Sequence, residues 1–138
     1  MRRLAFFLLV MFAAVLPFSS NALCGDESFA NFFSAFSNDA KFSKERTLWP
    51  LRITTEKFGD PSNKSIRYIT SGKEYWGTES TVSEFLKRHP TIRTSIDTES
   101  DSEVIVTFGI EDADIVFDFK FVRQDGYWRL VEVYDYKR

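Results

Sequence analysis

Phe29, Phe32, Phe33 and Phe36 recur at intervals of three and four residues, the spacing that lays side chains along one stripe of a helix. Ser28, Asn31, Ser34 and Ser37 fall on its other sides, while Ala30, Ala35 and Ala40 favour helix and permit close packing. Asp26 or Ser28 is placed to cap the start, and Asn38-Asp39 weakens the end. An aromatic stripe of this kind attaches a helix to a sheet. The pattern therefore predicts a core helix, with Phe32, Phe33 and Phe36 in the interior and Phe29, near the helix start, less buried. Each fully buried ring contributes roughly 1.5–3 kcal/mol.

Beyond this helix the period changes. Pro50 stops any helix in "FSKERTLWPL". Leu51, Ile53 and Thr55 then alternate with polar residues, as do the residues of "SIRYIT", which predicts two short strands joined by a loop over Gly59–Ser65. "SGKEYWG" makes a further turn. "TVSEFLKRHP" reads as a second helix: Thr81 and Glu84 form a capping box, Pro90 ends it, and Lys87, Arg88 and His89 suit its negative C-terminal end. The last third is strand-rich. "SEVIVTFGI", "DIVFDFKFVRQ" and "YWRLVEVYDY" are separated by "EDAD" and "DG", and "TIRTSID" adds a strand before them. Helix, two strands, helix, then three or four strands is an α+β order. It predicts N-terminal helices packed on one face of a curved antiparallel sheet.

The first residues change the picture of where the chain works. Arg2 and Arg3 precede an unbroken apolar run from Leu4 to Leu16, followed by Pro17. This is the layout of a secretory signal peptide, and the run is shorter than the ~20 residues a membrane span needs. Ser20 and Ala22 supply small residues at −3 and −1, which predicts cleavage after Ala22: signal peptide 1–22, one α+β domain 23–138, and a periplasmic or secreted product. Anchoring through a lipid on Cys24 is the less favoured alternative, because Leu23 occupies the position that takes a small residue in lipoprotein signals. Cys24 is the one cysteine, so any disulfide it makes is intermolecular. Without Arg2 and Arg3 the 18 basic residues fall to 16 against 20 acidic ones, and no basic block remains. Nucleic acid is thereby disfavoured as a partner, and no second run is long enough for a transmembrane span.

Candidate chemistry is sparse. His89 is the lone histidine, so neither a His-containing metal site nor a nucleophile–histidine pair has more than one residue to draw on, and its place at a helix end has an ordinary structural explanation. The glycines are scattered, with no phosphate-binding loop. Glu111, Asp112, Asp114 and Asp118 form one acidic run, and Asp97, Glu99, Asp101 and Glu103 another. Both read first as solvated turns; the first could hold a cation weakly, and either suits a basic partner. No cofactor and no metal site is expected.

The nearest approach to a site is in the last hairpin. Phe117, Phe119 and Phe121 share one strand face. A two-residue turn at Asp125-Gly126 pairs Gln124 with Tyr127. Regular counting then opposes Phe121 to Leu130, Phe119 to Glu132 and Phe117 to Tyr134. Glu132 is thus expected on the phenylalanine face, towards the helices, paired with Arg46 or Arg67 or serving as a pocket acid. A one-residue shift of register turns it outward. The candidate ligand-binding set is Glu132, Tyr134, Phe119 and Arg46.

The Phe-rich helix, "ND" and "FSKERTLWPL" together resemble a family of secreted bacterial proteins, domain of unknown function number 4348. Its pattern F-x-x-F-x-x-x-F, D-x-x-F and R-x-x-x-P-L is matched by Phe29, Phe32, Phe36, Asp39, Phe42, Arg46, Pro50 and Leu51, over about a fifth of the chain. The terminal "DGYWRLVEVYDY" is similar to the last strands of the nuclear transport factor 2-like (cystatin-like) superfamily. The resemblance implies a cone, with a bent sheet around N-terminal helices, and an exported setting; it implies no activity. Three function classes follow. The first is an exported, non-catalytic binding or neutralising module with a protein partner. The second is a small-ligand protein or enzyme using a pocket carboxylate on an apolar molecule inside the cone. The third is a structural accessory of the envelope.

Overall fold

The computed structural model describes residues 26–57, 59–70, 81–110 and 116–137. Among them α1 spans Phe29–Asn38 and α2 Ala40–Glu45, followed by β1 Thr47–Lys57, β2 Asp60–Ile69, α3 Val82–Arg88, β3 Arg93–Ser100, β4 Glu103–Gly109, β5 Val116–Gln124 and β6 Tyr127–Lys137. The strands form one curved, unclosed sheet in the order β2-β1-β6-β5-β4-β3. Neighbours are antiparallel except β1 and β6, which run parallel. This is the α+β architecture the sequence predicts.

Ser28 caps α1, its hydroxyl accepting from the Asn31 N–H. Asp39 closes α1 and opens α2, its carboxylate accepting from Lys41 N at 2.9 Å and Phe42 N at 3.0 Å. A single aspartate thereby converts an expected helix end into a bend between two helices. Thr81 caps α3 through the Glu84 N–H.

Phe32 and Phe36 of α1 are buried and meet Phe121 of β5 edge-on, with ring centres 5.5 and 5.2 Å apart. Phe29, expected to be less buried, is partly buried and packs on Phe121 and Trp128. Phe33, expected in the core, is only partly buried, stacked on Phe29. Leu51, Ile53, Val104, Val106, Phe108, Phe119, Leu130 and Val133 complete the helix-facing side of the sheet.

The expected loop over Gly59–Ser65 is largely strand. β2 begins at Asp60, and Lys64 pairs with Glu56. β2 is an edge strand, so half of its backbone polar groups face solvent, and Pro61 and the small polar residues are tolerated where a central strand would reject them. The predicted turn at Asp125-Gly126 is present: both residues have positive φ, 52° and 81°, and Gln124 pairs with Tyr127. "SGKEYWG", "EDAD", Cys24 and the signal peptide lie outside the described residues.

Glu27 locks the start of the fold to this hairpin. Its carboxylate accepts two bonds from the Arg46 guanidinium, at 3.1 and 3.2 Å, and one from Trp128 N at 3.1 Å. Its carbonyl accepts from the Trp128 indole at 2.9 Å. Asp26 pairs with Arg123, whose guanidinium lies over the Trp128 ring.

Candidate functional site

The hairpin begins as counted, with Phe121 opposite Leu130. Then β6 inserts one residue. Val131 has no counterpart on β5, and the next pair is Lys120 with Glu132, followed by Phe119 with Val133, Asp118 with Tyr134 and Phe117 with Asp135. The expected pairing of Phe119 with Glu132 and of Phe117 with Tyr134 is therefore incorrect. A β-bulge absorbs one residue and turns everything after it to the other face. The exchange is favourable on both sides. Val133, wholly buried, takes the place among the phenylalanines, and Glu132 comes to face a lysine rather than an aromatic ring.

Glu132 thus lies on the outer face, away from the helices, yet is only 9% exposed. Its neighbour on β1 is Arg52, whose Nε is 3.2 Å from Oε1, an ionic contact without hydrogen-bond alignment. Thr54 donates its hydroxyl to the same oxygen at 2.7 Å, and Tyr134 donates to Oε2 at 3.0 Å. Arg52 and Thr54 reach this face because they alternate with Leu51 and Ile53 on β1.

The same face carries a wider ladder of pairs. Lys120 meets Glu103 at 2.9 Å, Lys64 meets Glu56 at 3.0 Å, and Thr107 donates to Asp118 at 2.6 Å. Its hydrogen bond to Glu103 holds the Lys120 ammonium pKa above the usual lysine value despite partial burial. Burial, then the bond to Glu132, pushes the Tyr134 hydroxyl up. Burial and the adjacent Asp118 carboxylate push Tyr136 up further. The two tyrosine rings lie stacked, 6.4 Å apart.

Of the four candidate ligand residues, the structure brings Glu132 and Tyr134 together. Phe119 lies on the opposite face of the sheet, wholly buried. Arg46 is held by Glu27 and Trp128, with its guanidinium over the Phe42 and Tyr127 rings. The four do not form one site. Sequence reasoning missed Arg52, Thr54 and Lys120; their signal was opposite charge and polar alternation across β1, β5 and β6, readable only once the bulge is placed. Both Glu132 oxygens already accept bonds, so this carboxylate holds strand register. His89 closes α3, its N–H donating to Phe85 and Leu86 carbonyls, and its exposed ring lies against Phe85. Among the described residues no three metal-ligating groups gather, and no helix is long and apolar enough to cross a membrane.

On this outer face Ile66 and Tyr68 of β2, opposite Thr54 and Arg52, are 53% and 63% exposed. The helices lie on the other side, so among the described residues none covers the ladder or its tyrosine and isoleucine neighbours.

No protein-family model and no curated protein matches the chain. Its similarity to solved structures is in fold. A nuclear transport factor 2-like protein of Bacteroides fragilis superposes with a TM-score of 0.59 at 17% identity, over 82% of this chain and 48% of that one. This chain thus spans about half the length of that protein. A cystatin-like protein of Bacteroides caccae superposes with a TM-score of 0.54 at 21% identity, over 80% of this chain and 76% of that one. The fold is nuclear transport factor 2-like.

Proposed function

We propose that the chain is an exported, non-catalytic binding module that meets a protein partner on the outer face of its sheet. The observation that carries this reading is the makeup of that face. Over β1, β2, β4, β5 and β6 its carboxylates Glu132, Glu56 and Glu103 are paired with Arg52, Lys64 and Lys120, while Ile66 and Tyr68 stand half-exposed, one strand across from the stacked Tyr134 and Tyr136. A sheet face of low net charge with exposed aromatic and branched residues loses little by desolvation and suits a partner surface with an apolar centre. The helix-facing side supports the reading from the other direction. Ile53, Val106, Phe119, Phe121 and Val133 are each wholly buried against neighbours, and the one acid expected there lies outside.

Export rests on the Arg-Arg start, the Leu4–Leu16 run and the small residues Ser20 and Ala22, together with the resemblance of the Phe29–Leu51 pattern to the secreted family number 4348. The mature protein then begins at Leu23 and carries a free Cys24. Intact-mass measurement of the secreted form tests this; acyl chains on Cys24, or an uncleaved N-terminus, would overturn it.

The partner is tested by affinity capture from the native envelope fraction with wild-type protein and with the double variant Ile66→Ser, Tyr68→Ala. Both side chains are exposed, so the fold is retained. The expected result is a partner held by the wild type and lost from the variant. A partner retained by the variant, or none captured by either, overturns the reading.

A further inference from the structure

β3 is the other edge of the sheet, and all eight of its residues are exposed. In an edge strand every second residue turns its N–H and C=O away from the sheet, so β3 presents an unpaired row of backbone donors and acceptors. The two edges are treated differently. β2 carries Pro61, Lys64 and Arg67, and a register shift at Glu56/Lys57 interrupts its pairing, all of which discourage another strand from adding. β3 has neither proline nor lysine, and its one basic residue, Arg93, stands at its start. Ile96, at its middle, faces the helix side opposite Val106 and is 50% exposed.

Its charges are also unlike those of the rest of the sheet. Glu56, Glu103, Asp118 and Glu132 each have a partner within the sheet. Asp97 stands opposite Ile105, and neither it nor Glu99 has an ion-pair partner among the described residues. These unpaired carboxylates disfavour self-pairing centred on Asp97 or Thr98, which brings like charges together, although a register centred on Ile96 sets Arg93 against Glu99. They favour a basic strand.

We infer that the outer edge of β3 accepts an extended basic segment of a partner protein as an additional strand. The segment's backbone completes the ladder. Lysine or arginine at alternate positions meets Asp97 and Glu99, and the intervening and flanking branched apolar residues cover Thr98 and Ile96. This edge is distinct from the face carrying Ile66 and Tyr68, so the two surfaces can be tested separately.

The test uses isotope-labelled mature protein and a synthetic peptide alternating lysine with valine, followed by amide hydrogen exchange and chemical-shift titration. The expected result is slowed exchange along β3 with β2 unchanged, no effect from the same peptide with glutamate for lysine, and affinity about tenfold weaker in the double variant Asp97→Asn, Glu99→Gln. Asp97→Asn alone gives an intermediate loss, and Ile66→Ser, Tyr68→Ala none. Lack of protection at β3, equal protection of β2, equal binding of the glutamate peptide, or undiminished binding by the double variant would each overturn the inference.

Discussion

Replacing Glu132 by glutamine keeps the volume of the side chain and removes its charge. Three groups respond. Thr54 and Tyr134 donate to the two carboxylate oxygens at 2.7 and 3.0 Å, and Arg52 lies 3.2 Å from one of them. Hydrogen bonds to a charged group contribute about 1.5–3 kcal/mol each, roughly twice their neutral counterparts. The carboxamide still accepts from one hydroxyl, and the other rotates to accept from its N–H. About half of each bond's contribution is therefore lost. The Arg52 side chain is 43% exposed and recovers hydration, so its share is below about 1 kcal/mol. Glu132→Gln should cost about 2–3 kcal/mol in urea denaturation, with the slope m unchanged. Glu132→Ala should cost more, because both hydroxyls and the guanidinium then lose their acceptor in a half-buried position. A double-mutant cycle with Thr54→Val should show coupling of about 1 kcal/mol or more. A glutamine variant within about 0.5 kcal/mol of wild type would refute the view that this carboxylate holds the strand register.

Phe36→Ala should cost about 3–5 kcal/mol by denaturation, because the ring is wholly enclosed between Phe32 and Phe121, whereas Phe33→Ala should cost about 2 kcal/mol or less, and equal costs would contradict the burial difference. Glu27→Ala should destabilise by about 3 kcal/mol and speed hydrogen exchange at Trp128, since it leaves the Arg46 guanidinium without its bidentate partner; unchanged exchange there would show that the N-terminal segment does not secure the hairpin. Tyr136 has a raised pKa in the folded protein, from burial and then Asp118, so the native state keeps its proton at a pH where the unfolded chain, with the ordinary value of 10.0, has released it. That contribution is present below about pH 10 and lost as pH rises towards the folded-state value; Tyr134 and Lys120 act in the same direction, so melting temperature should fall above pH 10, less steeply in Tyr136→Phe, and identical slopes would refute the assignment.

The helices and most strand identities were legible because their signals are local. The three- and four-residue spacing of Phe29, Phe32 and Phe36 and the capping residues Ser28 and Thr81 are each contained within one turn or two. α2 was missed because its signal is a single side chain, Asp39, that ends one helix and starts the next. The strand from Asp60 was missed because turn-forming residues are read as loop unless the segment is known to lie at an edge, and edge position is a property of the assembled sheet. The parallel pairing of β1 with β6 is likewise invisible in a chain where every short connection predicts an antiparallel neighbour.

The site depended on one residue. Regular alternation from the Asp125-Gly126 turn holds for Phe121 and Leu130 and fails one residue later at Val131. No local propensity marks the failure, because Val131 is as good a strand residue as its neighbours. What selects the bulge is the balance on both faces. Without it, Glu132 would be buried opposite Phe119 while Val133 pointed outward; with it, Val133 fills the core and Glu132 meets Lys120, Arg52, Thr54 and Tyr134. Desolvating an unpaired carboxylate costs several kcal/mol, far more than one residue's unpaired backbone at a bulge. The charge that suggested an interior acid is thus the physical reason that it lies outside, and functional hypotheses for this chain move with it from the inside of the fold to the sheet's outer face and its open edge.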